Sequence, residues 1–249
     1  MEVWHTCAGI NLKHSTVDTI FITGIGTGVG KTVVAAIITE ALGAAYWKPI
    51  QSGTTEGTDS AWVQSVLSNP ACTVLPETYK LRLAASPHIA AGEEGVAIDM
   101  HVIRDRLLEI QAAGRELRSA SPAIVANASQ PAAHSPQLII EGAGGLLVPL
   151  NEKEFMADLI HLLHSKVILV SRNYLGSINH SLLTAEVCKQ YKLDVLGWVF
   201  NDQYMSYEDE IVHWSGFPKI ASIPVVPDAG KGFIAAQAAL MRDALRKLL

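Results

Sequence analysis

Thr23-Gly24-Ile25-Gly26-Thr27-Gly28-Val29-Gly30-Lys31-Thr32 is the stretch that decides the reading of this chain. It follows the apolar run Thr19 to Thr23 and opens an Ala-rich segment, Lys31 to Leu42, of helical character. Strand, glycine-rich turn, Lys-Thr pair and helix in that order form a phosphate-binding loop. The glycines let successive N–H groups point inward at a polyphosphate, and the helix adds its positive N-terminal end beneath the same anion. Gly28, Val29 and Gly30 are expected to cradle the phosphates, Lys31 to reach the outer ones, and the Thr32 hydroxyl to ligate Mg²⁺. The usual spacing leaves four residues between the first glycine and the Gly-Lys pair. Here Gly24 leaves five, so the loop is one residue longer.

The 249 residues are 49% hydrophobic and 17% charged, with a net charge of −5. That composition supports a sizeable core and argues against a disordered chain or a nucleic-acid binder, which would show a basic field. No apolar run reaches the ~20 residues of a membrane helix. Cys7, Cys72 and Cys188 are far apart, with neither disulfide nor zinc spacing, so a reducing cytoplasm is expected. Residues 1–18, with His5, Cys7 and His14 in a polar mixture, are expected to be a frayed N-terminal extension. His161 and His164 share a helical face in an apolar segment without acidic partners, which points to packing or exposure rather than metal.

Short apolar runs recur at Thr19 to Thr23, Ala45 to Lys48, Gln137 to Glu141, Val167 to Ser171, Val195 to Asn201 and Ile220 to Ile223. Between most of them lie helix-length segments: Lys31 to Leu42, Met100 to Arg118, Glu154 to His164, Ile178 to Tyr191 and Phe233 to Leu249. The alternation predicts an α/β fold, a single-domain parallel sheet flanked by helices over 19–249. Ligands of such sheets bind at the carboxyl ends of the strands. The polar residues of this chain follow its apolar runs, at Gly24 to Thr32, Lys48 to Asp59, Glu141 to Gly145, Asn201-Asp202 and from Pro224 onward. Ser119 to Ser135, rich in Ala, Ser, Pro and Asn, reads as a long surface loop or mobile insertion.

Two further motifs point to chemistry. Lys48-Pro49-Ile50-Gln51-Ser52-Gly53 leaves a strand end beside the phosphate site, where a lysine is rarely there for solubility alone, although a surface role fits the same residues. Glu141-Gly142-Ala143-Gly144-Gly145 ends a buried strand with an acid placed to hold Mg²⁺, and its small residues let backbone approach phosphate. Glu141, Asp59 and Thr32 together supply oxygen donors for one Mg²⁺ shell.

At this point the chain resembles the dethiobiotin synthetases, ATP-dependent ligases that close the ureido ring in biotin synthesis. The resemblance runs from about Thr19 to Ala229. It rests on the long loop ending Val29-Gly30-Lys31-Thr32, on Lys48-Pro49-x-x-Ser52-Gly53, Asp59 and Ser86-Pro87-His88, and on Glu141 to Gly145. Gly176-x-Ile178-Asn179-His180 and Gly197-Trp198-Val199-x-Asn201-Asp202 complete the ordered set. It implies a P-loop nucleoside triphosphate hydrolase-like fold with ATP as co-substrate and Mg²⁺ as metal. Lys48 and Lys31 then serve catalysis, with Thr32, Asp59 and Glu141 on the metal. Gly142, Ala143 and Gly144 lie by the phosphates, while Asn201, Asp202, Pro224, Val225 and Val226 meet the adenine end. Ser52 contacts substrate, and Gly176, Ser177, Ile178 and Asn179 receive the substrate carboxylate across a homodimer interface. Gly26 and Gly28 stand where the family often has acidic loop residues, and the ribose contact stays open between Asp228 and Lys231.

The implied substrates are diaminopelargonic acid, CO₂ and ATP. A rival reading is a switch or partitioning ATPase of the same P-loop group. Such proteins commonly carry an additional lysine within the loop, and here Ile25, Gly26, Thr27 and Gly28 leave none before Lys31. A second rival, an amidating ligase, would be expected to carry a glutaminase module with a reactive cysteine, for which this chain leaves little room.

Overall fold

The computed structural model describes residues 18–120, 137–202 and 204–249. The described elements begin with β1 (Thr19–Gly24), α1 (Lys31–Leu42), β2 (Ala45–Trp47), β3 (Ile50–Ser52) and α2 (Asp59–Val66). Then come β4 (Thr73–Leu75), β5 (Tyr79–Leu81), α3 (Pro87–Glu93), α4 (Met100–Ala120) and β6 (Leu138–Glu141). The remainder is α5 (Met156–Leu162), β7 (Lys166–Arg172), α6 (Ser177–Tyr191), β8 (Val195–Asn201), α7 (Tyr207–Ser215), β9 (Lys219–Ile223) and α8 (Lys231–Leu248). Seven strands form one sheet in the order β4-β2-β6-β1-β7-β8-β9, and every pairing in it is parallel.

Helices cover both faces of this sheet, which is why its central strands are apolar without alternation. On one face Ile20, Ile22, Ile139, Ile168 and Val170 pack with residues of α1 and α8 such as Val34, Ile38, Ile234 and Met241. On the other, Phe21, Trp47, Ile140 and Leu169 pack with Ile103 of α4, Leu159 of α5 and Ala185 of α6. Successive residues of β2 therefore serve opposite layers: Tyr46 lies with the first and Trp47 with the second.

All six predicted strands are present, with ends shifted by a residue at most. Helix α2 begins at Asp59, where a helical stretch is expected, and five elements lie beyond the prediction: the three-residue strands β3, β4 and β5 and the helices α3 and α7. β3 and β5 pair with each other in a separate two-stranded sheet. Such strands are too short to show a period, and α7 buries only Ile211 and Ser215. Helix α4 continues to Ala120, into the stretch expected to be a loop. Residues 121–135 of that stretch, and 1–17 of the N-terminal extension with Cys7, lie outside the described residues.

Candidate functional site

The long loop after β1 wraps the start of α1 and faces a cleft of about 740 Å³ at the carboxyl edge of the sheet. Gly28, Gly30, Lys31, Thr32, Lys48, Ser52, Asp59, Glu141, Ala143 and Gly144 all line it. Residues more than one hundred positions apart meet because β1 and β6 pair in parallel, with Ile22 opposite Glu141. Lys48 follows β2, which pairs with the other side of β6. Asp59 arrives on the first turn of α2, whose N-terminus is fixed by Thr58 accepting from the Ala61 N–H at 3.2 Å.

Four side chains form one ionic cluster in the cleft. The Thr32 hydroxyl lies 3.0 Å from Asp59 Oδ1 and 2.9 Å from Glu141 Oε1. Lys48 Nζ donates to Glu141 Oε1 at 2.8 Å and also to Asp59 Oδ2. Burial alone would depress the Lys48 ammonium, but the charges of Glu141 and Asp59 prevail and hold its pKa above the usual lysine value. For Asp59, burial pushes upward, and the Lys48 charge outweighs it, leaving the carboxyl below its ordinary range. Lys31, 7% exposed, folds back to donate to the Gly26 carbonyl at 2.7 Å. Burial drives its ammonium down to about 8; Glu141 pulls it upward, and the nearby Lys48 charge adds to the depression. A polyphosphate beside the loop would stabilise this lysine in its charged form.

Two residues of this cluster escaped the sequence reading. Tyr46 donates its hydroxyl to Glu141 Oε2 at 2.7 Å. Burial first, then the Glu141 charge, push the phenol well above its ordinary value, so it stays protonated and donates. Gln51 accepts from the Asp59 N–H at 3.1 Å and donates to the Ser52 and Gly53 carbonyls, bracing the start of α2 against the turn after β3. The sequence signal is for Tyr46 alone, which stands two positions before Lys48 in the apolar run Ala45 to Lys48 and so shares its face. Ser52 Oγ is buried and has no hydrogen-bond partner among the described residues, although Ser52 lines the cleft.

A second cleft of about 240 Å³ opens beside the loop, lined by Val29, Asn201, Pro224, Val225 and Val226 among others. Asn201 Nδ2 donates to the Val29 carbonyl at 2.6 Å, tying β8 to the loop. Gly30 has φ +91°, and a Cβ there would sit 2.4 Å from Asn201 Nδ2. That position therefore needs glycine for both backbone and contact reasons.

Not every predicted residue joins these clefts. Gly142 packs beneath the site, where a Cβ would meet the Phe21 ring at 2.7 Å, and its N–H donates to the Ile22 carbonyl. Asp202 lines a third cleft, of about 400 Å³, on the other side of the loop, and pairs with Arg172 at 3.4 Å. Gly176, Ser177, Ile178 and Asn179 line none of the three. Ser177 is buried and accepts from the Tyr174 N–H at 3.3 Å, whereas Asn179 is exposed at the start of α6.

The donor set at Thr32, Asp59 and Glu141 is two carboxylates and a hydroxyl, all hard oxygens. No group of three or more His, Cys, Asp or Glu able to hold a metal exists among the described residues. Such a set suits Mg²⁺, which is bound by one or two carboxylates with substrate phosphates and water, better than a metal needing a full protein cage.

A family model described as an AAA domain matches residues 18–231. Solved structures with the same fold include the cell division protein MinD of Aquifex aeolicus, 14% identical, with TM-score 0.56 over 93% of this chain and 97% of that one. A ParA family ATPase of Chlorobium tepidum is 15% identical, with TM-score 0.53 over 95% of each chain. At such identities the likeness shows the P-loop ATPase fold alone. Sequence relatives are much nearer. The ATP-dependent dethiobiotin synthetase BioD of Cytophaga hutchinsonii is 43% identical over 77% of this chain and 81% of its own length. That of Brucella ovis is 38% identical over 84% of this chain and 87% of its own. With that identity over most of both chains, the chain belongs to the dethiobiotin synthetase family.

Proposed function

We propose that this protein is an ATP-dependent dethiobiotin synthetase that closes the ureido ring of dethiobiotin from diaminopelargonic acid, CO₂ and ATP. The observation that carries this reading is the extent of identity to relatives of that name, 38–43% over 77–84% of the chain. The clustering of Lys31, Thr32, Lys48, Asp59 and Glu141 around one cleft supports it.

One amine of diaminopelargonic acid captures CO₂ as a carbamate and loses a proton. A carbamate oxygen attacks the γ-phosphorus of ATP, ADP leaves, and a carbamic-phosphoric anhydride forms. The second amine attacks the carbonyl carbon, the C–O bond to phosphate breaks, and the ring closes as phosphate departs with the proton that this nitrogen gives up. The protein holds two anions together and neutralises charge spreading over the transferring phosphoryl group. Lys31, released from the Gly26 carbonyl, faces the outer phosphates. Lys48 faces the carbamate side, and the unpartnered Ser52 hydroxyl orients the carbamate. Thr32, Asp59 and Glu141 would hold Mg²⁺, which would neutralise phosphate oxygens. The cleft beside Asn201 and Pro224 to Val226 takes the adenine end, with Asp202 nearby.

The substrate carboxylate lies several methylenes from the reacting amines. Gly176 to Asn179 open the 15-residue helix α6, offering N–H groups and a positive dipole end outside the phosphate clefts. We assign them to a partner subunit's site in a homodimer, which accounts for their position. A single catalytic domain over 19–249 and a reducing cytoplasm, matching free Cys72 and Cys188, complete the proposal. No helix among the described residues is long and apolar enough to cross a membrane. The partitioning-ATPase reading has only the fold in its favour.

The test is product formation. Incubation with ATP, Mg²⁺, diaminopelargonic acid and ¹³C-bicarbonate should yield dethiobiotin bearing the label in its ureido carbon, seen by mass spectrometry. Absence of labelled product from folded, ATP-binding protein would refute the assignment.

A further inference from the structure

Glu141 is 1% exposed and Tyr46 is 0% exposed, so each oxygen of this carboxylate must find its donors inside the protein. Oε1 faces Thr32 and Lys48 at 2.9 and 2.8 Å. Oε2 accepts from the Tyr46 hydroxyl at 2.7 Å. The contact follows from strand register. Tyr46 is paired with Ile139 in the parallel β2–β6 ladder, and Glu141, two residues further along β6, lies on the same face. Tyr46 belongs to the apolar layer between the sheet and α1, where Ile139 and Val34 are fully buried, and its hydroxyl is the polar exception aimed at the site. Trp47, on the opposite face, packs in the other apolar layer.

We infer that Tyr46 is a positioning residue, holding the Glu141 carboxylate in the orientation that turns Oε1 toward Thr32 and Lys48. This rests on the reading of Glu141 as a Mg²⁺ ligand. Without the hydroxyl, Oε2 would be a buried charged acceptor without its donor. The carboxylate would then be free to rotate so that both oxygens compete for Lys48 and Thr32. Partners that orient a metal ligand typically matter 10–100-fold in metal affinity.

The experiment measures Mg²⁺ binding to the protein–ADP complex by titration calorimetry, and ADP binding in excess EDTA, for the wild type, Tyr46→Phe, Glu141→Gln and the double variant. Tyr46→Met, which fills the space without a hydroxyl, guards against a folding artefact in Tyr46→Phe, and thermal melts confirm the fold of each. Tyr46→Phe should weaken Mg²⁺ binding about 10-fold or more while leaving ADP affinity in EDTA unchanged. The double variant should bind Mg²⁺ no more weakly than Glu141→Gln, because the hydroxyl acts through that carboxylate. Normal Mg²⁺ binding in folded Tyr46→Phe or Tyr46→Met alongside weak binding in Glu141→Gln would overturn the positioning role and leave the metal site standing. Additive losses in the double variant would overturn it as well. Normal binding in Glu141→Gln would remove the metal assignment itself, and the inference with it.

Discussion

Lys48 Nζ lies 2.8 Å from Glu141 Oε1, with 7% and 1% of the two side chains exposed, and the same ammonium also bonds to Asp59. The lysine assigned to the carbamate thus neutralises the carboxylates assigned to the metal. In the free protein one cation serves both acids. Mg²⁺ held by the same carboxylates would take over part of that neutralisation and let Lys48 face the reacting groups.

Lys48→Ala should therefore act twice. Loss of a preorganised charge facing developing negative charge costs on the order of 10² or more in rate. ADP affinity, set mainly by the loop, should change little. Leaving Glu141 buried without its ion partner costs about 3–5 kcal/mol, toward the lower end because Asp59 is one-third exposed. Melting of the variant should recover with added Mg²⁺ more than that of the wild type. Near-wild-type turnover would show that Lys48 is not catalytic.

Gly30→Ala should loosen the join between loop and β8. The added Cβ meets Asn201 Nδ2 at 2.4 Å and must be held at φ +91°. A strained backbone of this kind costs about 1–3 kcal/mol, which as lost nucleotide binding is roughly a 5- to 150-fold rise in the ADP dissociation constant. Calorimetric titration with ADP checks it; an unchanged constant would mean that the Asn201–Val29 bond does not shape the nucleotide cleft.

The Lys31 ammonium gives a pH signature. Its pKa is lowered from 10.5 to about 8, so between those values the unfolded chain holds a proton that the folded protein has released. This group therefore adds stability as pH rises through that window and weakens the free fold below it. Bound polyphosphate favours the charged lysine, so ATP binding at about pH 8 should take up a proton, since the nucleotide's own phosphate, with pKa about 6, is already ionised. Calorimetry in buffers of different ionisation enthalpy should show net uptake in the wild type and none in Lys31→Ala. Equal values in both would assign the proton elsewhere.

The sequence made the phosphate loop legible because β1, the glycines, Lys31-Thr32 and α1 are contiguous, so their order is their geometry. Glu141, Lys48 and Asn201 were legible by a rule, that ligands gather at the carboxyl ends of parallel strands. Tyr46 and Gln51 were not, because their contacts depend on which strands are neighbours. The Tyr46–Glu141 bond needs β2 beside β6, 95 residues apart in sequence. Adjacency in sequence did not put Asp202 in the cleft that Asn201 lines. It lines a different one, because Asn201 ends β8 and Asp202 turns away at φ +64°.

The proposed homodimer makes a complementation test available. Lys48→Ala chains mixed with chains disrupted by Asn179→Ala and Gly176→Pro should regain activity, since one of the two sites in each mixed dimer has both an intact lysine and an intact partner helix start. No recovery, with mixed dimers demonstrated, would place the carboxylate receptor within one chain or elsewhere.

Phosphoryl transfer in the proposed reaction serves ring closure and not a switch. Phosphate release from ATP, followed with and without diaminopelargonic acid and bicarbonate, tests it most directly. Release from ATP and Mg²⁺ alone should be slow, rising by orders of magnitude only when both co-substrates are present, with one phosphate per dethiobiotin formed. Release at the same rate whether or not they are added would contradict it.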